Sequence, residues 1–98
     1  MLINLKKDTY DTFITSKADK SLYKISKNDK KAVKILLTAI KEISKDPYNS
    51  KLLKGKLKGN RRIRKDPYRI IFAINNEKKI IKILNIDKRD KIYKKYSK

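Results

Sequence analysis

Every arginine of this 98-residue chain lies between positions 61 and 89: Arg61, Arg62, Arg64, Arg69 and Arg89, against 24 lysines spread throughout. In a chain that otherwise uses Lys, Arg marks places where a point charge does not serve. Its planar guanidinium is a rigid fork of donors matched to phosphate, and it stays protonated near neutrality. The chemistry these residues suit is anion binding, phosphate above all. The competing explanation is chance clustering with ordinary salt bridges. Histidine and cysteine are absent. That removes the usual general base, the commonest metal ligand, every Ser-His or Cys-His nucleophile pair, thiolate metal sites and disulfides. The few acidic residues are not grouped near the arginines, so no Mg²⁺ site, metal or other cofactor is expected.

Alternation gives the arginines a geometry. Asn60–Lys65 and Tyr68–Ile74 read as strands joined at Asp66-Pro67. An even-length hairpin loop there sets Arg64 opposite Arg69 and Ile63 opposite Ile70. One face then carries Arg62, Arg64 and Arg69 with Ile71 and Ala73. The other carries Ile63, Tyr68, Ile70, Phe72 and Ile74, which is the core face. Two like charges directly opposed in a sheet cost stability. Such a pair is explained if an anion lies between the guanidiniums, or if both splay into water.

The elements that must position this hairpin follow from periodicity. Thr9–Thr15 alternates as a strand, with Tyr10, Thr12 and Ile14 on one side. Ser16 and Asp19 resemble a capping box opening a short helix, on which Ala18, Leu22 and Ile25 form one stripe. Asn28 or Asp29 caps the next helix, whose apolar face is Val33, Leu36, Leu37, Ile40 and Ile43. Asp46-Pro47 stops it, because the residue before Pro is pushed out of the helical region. Residues 48–60 read as a basic loop. Asn75-Asn76-Glu77 turns into a strand over Lys79–Ile86, and Asp87 caps a last helix over 88–96. Arg89 and Tyr93 share one face of that helix at i, i+4, as do Ile92 and Tyr96. Tyr93 could equally pack its ring on the sheet. Tyr10, Tyr23 and Tyr48 read as structural. The order β-α-α-β-β-β-α predicts an α+β fold: a small, largely antiparallel sheet, two helices packed on one face, and a short C-terminal helix. One domain over 1–98 is expected, with residues 1–8 polar and loose.

The formal net charge is +19 and the isoelectric point about 10.2. A strong positive field points to polyanionic partners, namely nucleic acid, the ribosome or an acidic protein. Lys-rich composition also arises from genome bias or solubility, so charge alone specifies little. The longest apolar run, Ile70–Ile74, is far short of the roughly 20 residues of a membrane span. The N-terminal MLINLKKD lacks the apolar stretch of a secretory signal. A cytoplasmic protein that does not contact membranes is expected.

The element order, the helix pair ending at Asp46-Pro47, the Arg62-Ile63-Arg64 strand, the turn into Tyr68-Arg69-Ile70-Ile71-Phe72, the Ile80–Ile86 strand, and Arg89 followed four residues later by Tyr93 together resemble the RelE/ParE toxin superfamily. The resemblance covers about residues 9–96. It implies a toxin of a toxin–antitoxin pair. RelE-like members cut mRNA in the ribosomal A site, whereas ParE-like members poison DNA gyrase. Arg62, Arg64, Arg69, Arg89 and Tyr93 match the family's functional positions. Pro67 stands where relatives often have Gly, Lys88 where they often have His, and Asn60 where some have Lys.

On that resemblance the expected activity is ribosome-dependent mRNA cleavage without a metal. RNA supplies its own nucleophile, the 2′-OH. Arg62, Arg64 and Arg69 would neutralise the scissile phosphate. Arg89 would stabilise developing charge or protonate the leaving oxygen. Tyr93 would stack on a base or act as the general base, its ordinary pKa of about 10 lowered by surrounding cations. Lys54, Lys56, Lys58, Arg61, Lys65, Lys88, Lys91 and Lys94 would contact RNA phosphates. An acidic, RelB-like antitoxin would cover the same surface. The alternatives are a ParE-like gyrase inhibitor and a non-catalytic basic module that binds RNA or the ribosome.

Overall fold

The computed structural model describes residues 2–3 and 10–88. Arg89, Lys91, Tyr93 and Lys94, and all but the first residue of the helix expected over 88–96, lie outside them. Six strands form one sheet in the order β1-β2-β6-β5-β4-β3: β1 (Leu2–Ile3), β2 (Asp11–Ile14), β3 (Lys51–Leu52), β4 (Arg61–Lys65), β5 (Tyr68–Asn75) and β6 (Ile80–Lys88). Helices α1 (Ser16–Asn28) and α2 (Lys30–Lys45) connect β2 to the strands that follow. β2 runs parallel to β6 and every other pairing is antiparallel. This is the expected α+β architecture, with β1 and β3 added as two-residue edges. The edges correct two expectations. Leu2–Ile3 pairs with Phe13 and Thr12 rather than hanging loose, and the basic loop spends Lys51–Leu52 pairing with β4. The same loop contains a 3₁₀ turn at Gly55–Leu57. Gly55 and Gly59 there hold φ of 71° and 89°, a region that residues with a Cβ seldom adopt.

Local chemistry fixes the helix ends. Thr15, not Ser16, caps α1: its Oγ1 accepts from the Ala18 N–H at 3.3 Å. Asp29 caps α2, accepting from the Ala32 N–H at 3.0 Å, and α2 ends at Lys45 just before Asp46-Pro47. The buried stripe of α1 is Ala18, Leu22 and Ile25, as the spacing predicts. On α2, Leu36, Ile40 and Ile43 are buried, but Leu37 is exposed and Ala39 takes the inward position. A period of 3.6 carries the stripe from Leu36 through Ala39 to Ile40 and leaves Leu37 on the flank. These side chains meet Ile14, Ile70, Phe72, Ile81, Ile83 and Ile86 in one core between the helices and the sheet. Neither described helix is long and apolar enough to cross a membrane.

β6 departs from simple alternation. Ile71 pairs with Asn85 but Phe72 pairs with Ile83, so Leu84 is an extra residue, a β-bulge. The bulge puts both Ile83 and Ile86 in the core and turns Asn85 to the opposite face. The Thr15 hydroxyl, already capping α1, donates to the Ile83 and Leu84 carbonyls at 2.9 and 3.2 Å. β6 then continues to Lys88. Asp87 is therefore a strand residue, not the expected cap of a helix, and Lys88 is in the strand as well.

Candidate functional site

The β4–β5 hairpin closes through the two residues Asp66-Pro67, whose peptide bond is cis. Its register is Arg62↔Ile71, Ile63↔Ile70, Arg64↔Arg69 and Lys65↔Tyr68. Arg64 thus stands directly across from Arg69. Arg62, Arg64 and Arg69 share the sheet face turned away from the helices, while Ile63, Ile70 and Phe72 face the core. Along β6 the same face receives Asp87 opposite Arg69, Asn85 opposite Ile71 and Lys82 opposite Ala73.

Asp66, in the connecting turn, supplies the anion between the two guanidiniums. Arg69 Nη1 donates to its Oδ1 at 2.9 Å, and Arg64 Nε lies 3.8 Å from its Oδ2. The two contacts differ in weight. Arg64 is 59% exposed and Asp66 70% exposed, so the longer pair is screened by water and contributes little. The Arg69 side chain is only 2% exposed. Its Nη1 also donates to the Tyr68 carbonyl at 3.2 Å, yet its Nε is buried without a partner among the described residues. Asn85 Nδ2, also buried, has none among them either. Asp87, across from Arg69, accepts from the Lys88 backbone N–H at 2.8 Å instead of pairing with Arg69. The site therefore holds a buried cation whose acidic partner is solvent-exposed, and one donor of that cation and one of Asn85 meet no acceptor among the described residues.

The other basic residues divide by face. Arg61 lies opposite Phe72 and so on the helix side. Its guanidinium stacks over Tyr48 at 4.9 Å and donates to the Ser50 carbonyl at 3.0 Å. Tyr48 is thus a stacking partner for an arginine, a role that spacing along the chain did not signal. Lys65 turns to the same side, 3.9 Å from Glu42. Lys88 pairs with Tyr68 and borders a cleft of about 330 Å³ with Ser21, Lys24 and Asp87. Lys54 and Lys58 are exposed on the loop before β4. The structure brings together Arg62, Arg64 and Arg69, and sets Arg61, Lys65 and Lys88 on the far side of the sheet. Reading the sequence overlooked two members of the site. Asp66 counted there only as a turn residue, although its place between two arginines of one hairpin was a signal. Asn85 was hidden by the bulge, whose one trace is the doubled apolar pair Ile83-Leu84 in an alternating strand.

The chain matches, over residues 13–93, the family described as the ParE toxin of the type II toxin-antitoxin system, parDE. A chain from Methanocaldococcus jannaschii carrying the name toxin RelE4 is 33% identical over 87 residues, which span 88% of this chain and 93% of the relative. Among solved structures, the RelBE2 toxin-antitoxin complex from Mycobacterium tuberculosis aligns with a TM-score of 0.72 at 25% identity, over 83% of this chain and 99% of that one. A double mutant of Escherichia coli RelE in the free state aligns with a TM-score of 0.69 at 18% identity, over 90% and 94% of the two chains, a likeness of fold. With its helices on one sheet face and Arg62, Arg64 and Arg69 on the other, the chain belongs to the ParE toxin family of the RelE/ParE superfamily and is a toxin of a type II toxin-antitoxin pair.

Proposed function

We propose that this toxin is an endoribonuclease that cleaves mRNA in the ribosomal A site, using the substrate's 2′-OH as nucleophile. The observation that carries the reading is the Arg64↔Arg69 register with a carboxylate between the two side chains. A hairpin that opposes two guanidiniums and fills the gap with an anion is built to hold anions. A phosphodiester presents two charged oxygens to such a fork. Arg62, Arg64 and Arg69 neutralise those oxygens. The 2′-oxygen bonds to phosphorus, the bond to the 5′-oxygen breaks, and that oxygen takes a proton. The products are a 2′,3′-cyclic phosphate and a 5′-OH. Arg89 stabilises the charge that develops or delivers the proton, and Tyr93 stacks on a base or accepts the 2′-OH proton. In this reading the cationic side chains carry the charge stabilisation. Such a site has little acid–base equipment of its own. An ordered substrate on the ribosome supplies the alignment, an effect that contributes about 7–11 kcal/mol in favourable cases.

The partners are the ribosome with its mRNA, and an antitoxin. The RelBE2 structure is of a toxin with its antitoxin. A net charge of +19 calls for an acidic segment to neutralise the arginine face. The cytoplasm is where these partners meet.

The test is cleavage of mRNA on programmed ribosomes, read by primer extension. Arg64→Ala is the cleaner variant, since Arg64 is exposed whereas Arg69 is buried. Loss of one such charge-stabilising donor lowers turnover by about a hundredfold. Undiminished cutting by Arg64→Ala rejects the assignment. The ParE description of the matching family favours a second reading, inhibition of DNA gyrase without catalysis. A supercoiling assay run in parallel decides between them: inhibition of gyrase with intact mRNA selects the second.

A further inference from the structure

We propose that Asn85 is a phosphate-contacting residue of the arginine site, and that Asp66 is an internal anion which the bound phosphate displaces. The inference rests on the reading of this face as a phosphodiester site and adds to it one residue and one exchange.

Buried amide and guanidinium donors in folded proteins nearly always find an acceptor, and an orphan calls for an explanation. Here two orphans fall on one patch. Arg69 Nε and Asn85 Nδ2 are both buried and have no partner among the described residues. Their residues sit on adjacent strands of the same face, with Arg69 opposite Asp87 and Asn85 one step further along β6, opposite Ile71. Diagonal neighbours of this kind stand about 7–8 Å apart, within mutual reach for long side chains. The bulge at Leu84 is what gives Asn85 this face. Without that extra residue, alternation from Ile81 and Ile83 would send Asn85 into the core. The nearest strand carboxylate, Asp87, is engaged by the Lys88 N–H and leaves both donors unanswered.

Asp66 is a weak tenant of the same place. Its carboxylate spans Arg64 and Arg69, much as two oxygens of a phosphate would. It reaches neither orphan, and at 70% exposure it gives up little by turning into water. A phosphodiester carries two ester oxygens besides its two charged ones, set tetrahedrally, so it offers acceptors in more directions than a planar carboxylate. It answers Arg64, Arg69 Nε and Asn85 Nδ2 together, in a setting where charge-assisted bonds are strong. The ligand class is a phosphate group, which in the toxin's substrate is the phosphodiester.

The experiment uses the full chain, freed of antitoxin, with inorganic phosphate as probe at constant ionic strength. In wild-type protein, the Asn85 side-chain NH₂ and Arg69 Nε–H nitrogen resonances should shift together and saturate. Shifts confined to lysine neighbours, or an equal response to acetate, overturn the phosphate site. Asp66→Asn, which removes the internal anion and keeps an acceptor for Arg69, should bind phosphate about tenfold tighter. It should also gain more thermal stability from phosphate than the wild type does. Unchanged or weaker binding overturns the displacement. Asn85→Leu should bind about tenfold more weakly, as loss of one charge-assisted bond implies. Wild-type affinity in a folded Asn85→Leu variant removes Asn85 from the site, and the wild-type titration stands even if that variant fails to fold. All these readouts are binding, so they are independent of cleavage. A protein that binds phosphate here yet leaves mRNA intact refutes the nuclease and keeps the site.

Discussion

Arg69 is the residue on which stability and the proposed chemistry meet. A guanidinium taken out of water is costly unless an anion stays beside it, and removal of the partner leaves the charge uncompensated. Asp66 is that partner, while Arg64 reaches the same carboxylate through solvent. The two contacts should therefore separate in a denaturation experiment. Asp66→Ala is expected to lower unfolding free energy by about 1–3 kcal/mol, and Arg64→Ala to change it by less than about 0.5 kcal/mol, both read by urea titration. Equal, negligible effects would mean that Asp66 does not hold the buried charge. This asymmetry was only half legible in the sequence. Period-2 alternation on either side of a two-residue turn sufficed to oppose Arg64 and Arg69 and to put Arg62 with them. The like-charge pair pointed to a bound anion between them; the carboxylate that lies there is the chain's own Asp66. Which side chain would be buried could not be read, because alternation assigns faces and says nothing of depth.

At the scale of elements, Thr15 ties two features that look independent in the sequence. Its hydroxyl caps α1 and also bonds the carbonyls of the β6 bulge. A threonine that only capped would be worth about 1 kcal/mol, with the strongest caps near 2. Here its loss also frees carbonyls beside the strand position that turns Asn85 outward. Thr15→Val is expected to cost about 2 kcal/mol, with Thr15→Ser recovering most of it, measured by thermal unfolding. A cost below about 0.5 kcal/mol, or no recovery with Ser, would show that the hydroxyl serves neither role. Helix spans were legible because Ala18, Leu22, Ile25, Leu36, Ile40 and Ile43 repeat strongly, and Asp46-Pro47 is an unambiguous stop. The short edges β1 and β3 were not, since two residues carry no period. Their pairing is decided by the strands they lie against, Phe13–Thr12 and Arg62–Arg61. The end of β6 was misread for a related reason. Asp87 has the composition of a helix cap, but its pairing with Arg69 keeps the backbone extended through Lys88.

At the scale of the molecule, the proposed function divides the described basic residues between two surfaces with different tasks. Arg62, Arg64 and Arg69 occupy the sheet face away from the helices, whereas Lys54 and Lys58 lie on the loop before β4 and Arg61 and Lys65 turn to the helix side. A net charge of +19 repels itself in the folded state and attracts phosphates outside it. Added salt should then act in opposite directions. It should raise the unfolding temperature by screening self-repulsion, and, on the proposed reading, weaken ribosome binding by several orders of magnitude between about 50 and 200 mM, as counterion release requires when roughly 6–10 phosphates are contacted. Lys54→Ala/Lys58→Ala should flatten the logarithmic salt dependence by about 1–2 units, one for each phosphate no longer neutralised, and leave single-turnover cleavage by the ribosome-bound toxin unchanged. Arg64→Ala should do the converse, slowing cleavage with a smaller effect on ribosome affinity. If the loop variant slows single-turnover cleavage as much as Arg64→Ala does, the two surfaces are not separable, and the +19 charge acts as one undivided field.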